Sequence, residues 1–407
     1  MTLRPARAVA AVLVASASGI AHAQIAPPAF WDPQRDDVIT TELAGTLTQQ
    51  SNPFAVSNGS SDTIFQGLVG LRFARDFSLQ RLSLDASATP TVFFDNSEYN
   101  YVGLRGGLQW DWEVGRPIFG QVVVRGTRDR TAFENLNLIG DNIYTQWGIR
   151  GLAGLRLTPS WAVFGAVDYD TLTNSLITQQ AADRDRTGFE AGFRYQPGAA
   201  TEFDFLYRIE DGKYPNQQVL ASNGQPLPNR VDNGYGENSL LARLWYRPSD
   251  ASRFGGVVGY SRRNYDNFGE RDFSGPVLGF NADWAQTGQL SWRLELLRSI
   301  ESDQYSLSAN YVDVKRIAIR PRWQATGKVS IDLLAAYMLR DHAGDPGLAV
   351  GSPQREDKVT QFGATTNIEL ARNLFAQLIL AYTKRSSNYE LYSYDNTVFG
   401  AGIRALF

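Results

Sequence analysis

The sequence predicts an all-β fold: a transmembrane antiparallel up-and-down β-barrel of about eighteen strands. Three observations carry this. Segments of about ten residues alternate apolar and polar side chains, the period of a strand with one greasy and one wet face. The connections between these segments alternate between tight turns and long polar loops. The chain opens with an export signal, yet no stretch after residue 24 is apolar enough for a helical membrane span.

The export signal occupies residues 1–23. Arg4 and Arg7 precede the apolar run AVAAVLVASASGIA, and Ala21-His22-Ala23 supplies the small-x-small cleavage pattern. The run is too short and too rich in Ala and Ser to serve as a stable anchor. Cleavage after Ala23 leaves 384 of the 407 residues and takes the net charge from −3 to −5. The new N-terminus is Gln24 rather than Cys, which excludes a lipoprotein. Residues 24–35 read as a periplasmic segment and 36–407 as the barrel.

Composition removes several function classes. The length would suit two or three soluble domains, but one large closed sheet can use all of it. With 39 Lys and Arg against 42 Asp and Glu, the basic excess of a nucleic-acid binder is missing. The chain has no Cys, so disulfides, thiolate metal sites and Cys nucleophiles are ruled out. A mean hydropathy of −0.28 is that of a soluble protein. The average conceals the alternation.

The alternation is clearest in four segments. Phe189, Ala191, Phe193 and Tyr195 interleave with Glu190, Gly192, Arg194 and Gln196, and Phe203, Phe205, Tyr207 and Ile209 interleave with Glu202, Asp204, Leu206 and Arg208. The same pattern runs through 290–297 and 330–339. Charges on the second face fit water better than a packed core, so the apolar face is assigned to lipid and the polar face to the lumen. Short turns are expected near 76–80, 113–117, 158–160, 197–200, 248–252, 285–288, 325–327 and 371–373. Long loops are expected near 51–62, 131–142, 173–184, 211–234, 263–271, 299–310, 341–356 and 385–393; the connection at 95–98 is short where a long one is expected. This yields eighteen strands with both termini on the short-turn side. Sixteen stays open if 79–94 or 311–323 is not a strand.

A faint repeat places an aromatic just before a tight turn: Tyr195-QPGAAT, Tyr246-RPSDAS, Trp284-AQTGQL and Trp323-QATGKV. Amphipathic rings at strand ends belong at the headgroup level and form a girdle. At the C-terminus Phe399, Ala401, Ile403, Ala405 and Phe407 alternate with polar or small residues. A final aromatic such as Phe407 resembles the signal read by the bacterial barrel-assembly machinery.

Catalytic chemistry has little to stand on. His342, the one His after residue 23, falls in the loop-like stretch DHAGDPG, whereas acid–base or triad chemistry needs an imidazole packed against partners. Asp341, His342 and Asp345 lack metal-ligand spacing, and GLRGG at 103–107 lacks the strand–loop–helix setting of a phosphate loop. No catalytic residue, metal or cofactor is expected.

The distinctive charge is arginine, with 34 Arg to 5 Lys. On the assigned parity Arg105, Arg125, Arg150, Arg194, Arg208, Arg243, Arg293, Arg320 and Arg404 point inward. So do Asp85, Asp111, Asp168, Glu190, Asp204, Glu295, Asp332 and Glu369. They could form inter-strand ion pairs that stiffen the wall, or a charged lining whose Arg forks bind carboxylates and sugar hydroxyls. For any single Arg the first reading is favoured. Loop aromatics (Phe133, Tyr214, Tyr235, Tyr265, Phe268, Tyr389, Tyr392 and Tyr394) sit beside Asn, Asp and Arg, a composition that suits carbohydrate but is common in outer-membrane loops.

RDRTGFEAGFRYQPG (184–198), GKYPN (212–216), SRRNYDNFGERDFSG (261–275), the WxxTG turns and RSSNYELYSYDNTVFGAGIRALF (385–407) resemble the EpsL-type proteins of the β-barrel porin 2 group. That resemblance runs from about residue 36 to the end, and its motifs lie in turns and rims. It implies an outer-membrane passage or platform in exosortase-linked exopolysaccharide export, and supplies no catalytic residues. The expected partners are outer-membrane lipid or lipopolysaccharide and the barrel-assembly machinery. Through the resemblance, an exopolysaccharide and its periplasmic export proteins join them. A general diffusion porin for small solutes is the alternative; an outer-membrane enzyme is disfavoured by the single His.

Overall fold

The computed structural model describes residues 39–133, 140–216, 218–220, 226–230, 234–267, 269, 272–302, 311–343 and 354–407. The signal peptide and the segment 24–35 lie outside the described residues.

Alternation produces strands along the whole described chain. The first nine are β1 (Ile39–Gln50), β2 (Asp62–Phe77), β3 (Gln80–Phe93), β4 (Tyr101–Val114), β5 (Ile118–Arg130), β6 (Ile143–Arg156), β7 (Trp161–Asn174), β8 (Arg184–Gly198) and β9 (Thr201–Lys213). A small hairpin, β10 (Gln218–Leu220) and β11 (Pro226–Arg230), decorates the next loop. Then follow β12 (Tyr235–Ser249), β13 (Ser252–Tyr265), β14 (Phe273–Ala285), β15 (Leu290–Ser302) and β16 (Tyr311–Gln324). The last four are β17 (Val329–Ala343), β18 (Glu356–Ala371), β19 (Leu374–Ser387) and β20 (Tyr394–Leu406). Both segments whose strand character was open, 79–94 and 311–323, are strands.

Leaving the hairpin aside, eighteen strands form one antiparallel sheet in chain order, and β1 pairs with β20 to close it. At the seam Thr41 N–H donates to Phe407 O at 3.0 Å and Phe407 N–H returns a bond to Thr41 O at 2.9 Å. Closure leaves no sheet edge unpaired, the condition for a sheet to exist in lipid.

The repeated turns have a local cause. In Trp284–Gly288 the Thr287 hydroxyl accepts the N–H groups of Gln289 (3.2 Å) and Leu290 (2.9 Å). Thr326 does the same for Lys328 (3.2 Å) and Val329 (3.1 Å), and Thr158 for Ser160 (3.3 Å) and Trp161 (3.0 Å). The hydroxyl satisfies donors that the ladder has just released, so a Thr recurs where the chain reverses tightly. Ser78 and Asn373 reverse their turns in the left-handed region, at φ 58° and 66°.

The two faces separate as the alternation requires. Phe189, Phe193, Phe205, Tyr207, Leu240, Val258 and Leu378 are exposed on the outer face. Trp161, Tyr246, Trp284 and Trp323 are exposed at its short-turn end, with Trp161 and Tyr195 ring centres 4.6 Å apart.

The long-loop end differs from the sequence expectation. His342 is not on an exposed loop: it is the penultimate residue of β17, 3% exposed, with Nε2 3.4 Å from Asp357 Oδ2. Its backbone N–H bonds Arg355 O, because the β17–β18 pairing extends further than the GDPG sequence suggests. Several loop aromatics also turn inward. Tyr214, Tyr235 and Tyr265 pack together, and Phe133 packs with Phe54, Ile64 and Phe93. A third cluster, Val312, Val314, Met338 and Val359, breaks the inward-polar rule at the same end. Burial of apolar surface thus holds loop and strand ends inside the mouth.

Candidate channel lining

On the face opposite the lipid belt, acids and arginines of β6–β9 and β12 make a network around Glu190 and Glu210, with Arg194, Asp204 and Glu202 as a separate group beside it. Arg208 grips Asp168 with two bonds, 2.6 and 2.9 Å, and also reaches Glu190 (2.9 Å) and Glu210 (2.9 Å). Glu190 receives Arg150 at 2.7 Å and lies 3.5 Å from Arg243. Arg194 forks Asp204 at 2.8 and 2.9 Å and touches Glu202 at 3.2 Å. Arg186 bonds Asp170 at 2.7 Å, and Gln146 caps the other oxygen of that carboxylate at 2.8 Å. Guanidinium forks match carboxylates in plane, which is why Arg rather than Lys fills these positions.

The local fold makes room for the network. Asp168 stands in register with Gly188, and the Arg208 fork crosses over that glycine. A Cβ at position 188 would lie 2.4 Å from Arg208 Nη2 and 2.7 Å from Asp168 Oδ1. Aromatic rings serve as flooring elsewhere: the Arg156 guanidinium lies 4.8 Å from the centre of Phe119, and that of Arg194 5.5 Å from Phe164. The charges therefore lie along the wall.

The remaining candidates are spread around the circumference. Arg105 pairs with Asp129 at 2.9 Å, and Asp111 accepts the side-chain amides of Gln109 (2.8 Å) and Gln121 (2.7 Å). Arg293 bonds Asp283 at 2.6 Å, Arg320 lies 3.7 Å from Glu295, and Asp332 accepts Asn367 at 2.8 Å. Arg404 bonds Glu42 across the seam at 2.6 Å. Arg125, exposed on the inner face, and Glu369 make no ion pair among the described residues. The structure thus gathers Arg150, Arg208, Arg243, Asp168 and Glu190, sets the Arg194–Asp204 pair beside them, and leaves the others in separate contacts or, for Arg125 and Glu369, without an ion pair among the described residues.

Sequence reasoning missed Arg186, Asp170 and Glu210, which share the inward parity but sit nearer strand ends, and placed Glu202 on the polar face without singling it out. It also missed a set at the mouth. Arg263 bonds Glu237 at 2.6 Å and stacks 4.0 Å from the Tyr235 ring centre, while Tyr235 donates to Glu210 at 2.8 Å. The parity that identified Glu190 and Arg208 would have found all of these. Among the described residues no group of three or more acids and His is placed to hold a metal ion, and Phe268 lies outside them.

Residues 255–407 match the family model described as "Putative beta-barrel porin 2". A comparison with curated proteins finds no match. Among solved structures, the chain is similar to the outer membrane protein OpdK of Pseudomonas aeruginosa, at 10% identity, covering 91% of this chain and 99% of that one, TM-score 0.47. It is similar to a BenF-like porin from Pseudomonas fluorescens Pf-5, at 10% identity over 92% and 99% of the two chains, TM-score 0.48. It is also similar to Pseudomonas aeruginosa OccK2 solved with glucuronate, at 11% identity over 91% and 98%, TM-score 0.48. The closed eighteen-stranded sheet, its apolar outer belt and the family match make this a porin-like barrel of the bacterial outer membrane.

Proposed function

We propose that this barrel is a passive channel for small hydrophilic solutes. The observation that carries the reading is the charged network of the inner wall, laid flat between Asp168, Glu190, Arg208 and Arg243. Barrels of sixteen to eighteen strands are wide enough to enclose an aqueous passage. Fixed ion pairs on the wall of such a passage set its electric field. The family match over residues 255–407 supports the same reading. Tyr214, Tyr235 and Phe133 are packed into clusters at the long-loop end rather than free in the loops, and a mouth with rings packed into it suits small solutes better than a polymer.

Export of an exopolysaccharide is the competing reading, and it rests on the resemblance of the turn and rim motifs to EpsL-type proteins. Reconstitution separates the two. In planar bilayers the purified barrel should give stable open-channel conductance, and proteoliposomes should swell in monosaccharides. A barrel that conducts no ions and admits no monosaccharide would overturn the diffusion reading.

A further inference from the structure

The arginines of the inner wall differ in their neighbours. Arg208 stands opposite Glu190 in register, and Asp168, Glu190 and Glu210 hold its guanidinium. Arg316 on β16 has no such company. Ile317 and Ile319 are exposed on the outer face, so Arg316, Ala318 and Arg320 face the lumen. In register with Arg316 stand Leu297 on β15 and Met338 on β17, both apolar. Ala318, the next inward residue, has Glu295 on one side and Ala336 on the other. Arg316 makes no ion pair among the described residues, and the charges that act on it are Glu295 and Arg320.

The surrounding acids do not make up the difference. Glu295 lies 3.7 Å from Arg320, beyond hydrogen-bond reach, and the buried Arg320 Nε has no hydrogen-bond partner among the described residues. Arg293, opposite Arg320, is taken by Asp283 at 2.6 Å, and Arg322 lies 3.7 Å from Asp332. Nearer the mouth, Arg340 stands in register with Asp357. Glu301 shares the inward parity of β15, but its side chain lies outside the described residues. Among the described residues Arg316 and Arg320 therefore share the carboxylate of Glu295. Apolar side chains flank them. Leu297 and Leu334 have the inward parity and are half-buried. Leu334 lies in the stretch of β17 facing Arg320, where the ladder skips Arg320 and Pro321.

We propose that Arg316, with Arg320 below it, anchors a small monocarboxylate with an apolar body on its way through the lumen. The inference rests on the diffusion-channel reading and names its substrate class. A guanidinium set between apolar side chains without a fixed carboxylate needs water or a mobile anion beside it. A planar carboxylate matches the guanidinium fork in two parallel bonds. Leu297 and Leu334 then cover the hydrocarbon body, whereas an inorganic anion would leave them in water. Glu295, diagonal to both arginines, repels the carboxylate and keeps the hold weak enough for release.

The test uses the full barrel in planar bilayers, with butanoate, formate and neutral butanamide as probes. Conductance in potassium chloride comes first: a barrel without it sinks the diffusion-channel reading and this inference together. In a conducting barrel, millimolar butanoate should reduce the chloride current more than formate does, and butanamide should leave it unchanged. Arg316→Gln should stay heat-modifiable and conducting, with the butanoate block weakened roughly tenfold by loss of a charge-assisted pair. Leu297→Asn keeps the arginine and should weaken the butanoate block to the level of formate. Equal butanoate block in wild type and Arg316→Gln overturns the inference while the channel reading stands. So does equal block by butanoate and formate in the wild type, since that assigns the arginines to a bare anion.

Discussion

Arg208 and Asp168 meet in a two-point fork, 2.6 and 2.9 Å, across a strand that belongs to neither of them. The fork crosses β8 at Gly188, the position where that strand offers no side chain. A pair two strands apart ties three strands into one unit, which a nearest-neighbour pair does not do.

Gly188→Val should therefore displace the fork rather than prevent folding, because the atoms it meets first are side-chain tips. We expect the barrel to stay heat-modifiable, with thermal stability lowered by about 1–3 kcal/mol. Single-channel conductance should fall as the displaced Arg208 moves into the lumen. Unchanged conductance and stability together would show that the glycine is not what seats the pair.

Glu190 is the carboxylate on which Arg150, Arg208 and Arg243 converge. Glu190→Gln removes one negative charge and leaves three guanidinium groups facing the passage. The reversal potential in a salt gradient should shift toward anion preference. A shift toward cations would contradict the inner-wall placement of the cluster.

Neighbouring positions on β8 give a paired test of parity. Phe193 is 59% exposed on the outer face, whereas Arg194 bonds Asp204 on the inner one. Phe193→Arg should impair insertion, at a cost of about 2–4 kcal/mol near the bilayer midplane. Arg194→Ala should insert normally and alter conductance. Normal insertion of the first and failure of the second would invert the assignment.

The seam between β1 and β20 closes through Thr41 and Phe407, with Arg404 bonded to Glu42 just inside it. Deleting Phe407 removes both backbone bonds to Thr41. Pulse-labelled protein should cross the inner membrane normally yet yield less folded barrel in outer-membrane fractions. Wild-type levels of heat-modifiable barrel would show that these bonds are dispensable for assembly.

Orientation is open to labelling. A tag at Asn216, in the loop after β9, should be accessible on intact cells; a tag at Gly198, in the tight β8–β9 turn, should become accessible only after permeabilisation. The opposite result would place the long loops in the periplasm.

Strand parity was legible because a barrel wall has only two faces with opposite solvents. A period of two in Phe189–Tyr195 and Phe203–Ile209 therefore fixes which way each side chain points, and with it the inward placement of Arg150, Glu190 and Arg208. The tight turns were legible too, since Thr287 and Thr326 act on donors two and three residues away. His342 was misjudged because its burial depends on Asp357 and Arg355, which reach it from the next strand.

The sequence by itself determined the class of fold, a count of eighteen strands with sixteen left open, and the parity that sets the two faces of each strand, all consequences of local periodicity. Tertiary structure alone decided which charges meet. Arg208 lies 40 residues from Asp168, and only the register of β7, β8 and β9, with a glycine at 188, brings the two together. It also turned Tyr214, Tyr235 and Phe133 inward, because their burial depends on strand ends and loops that are distant along the chain and adjacent only around the closed rim.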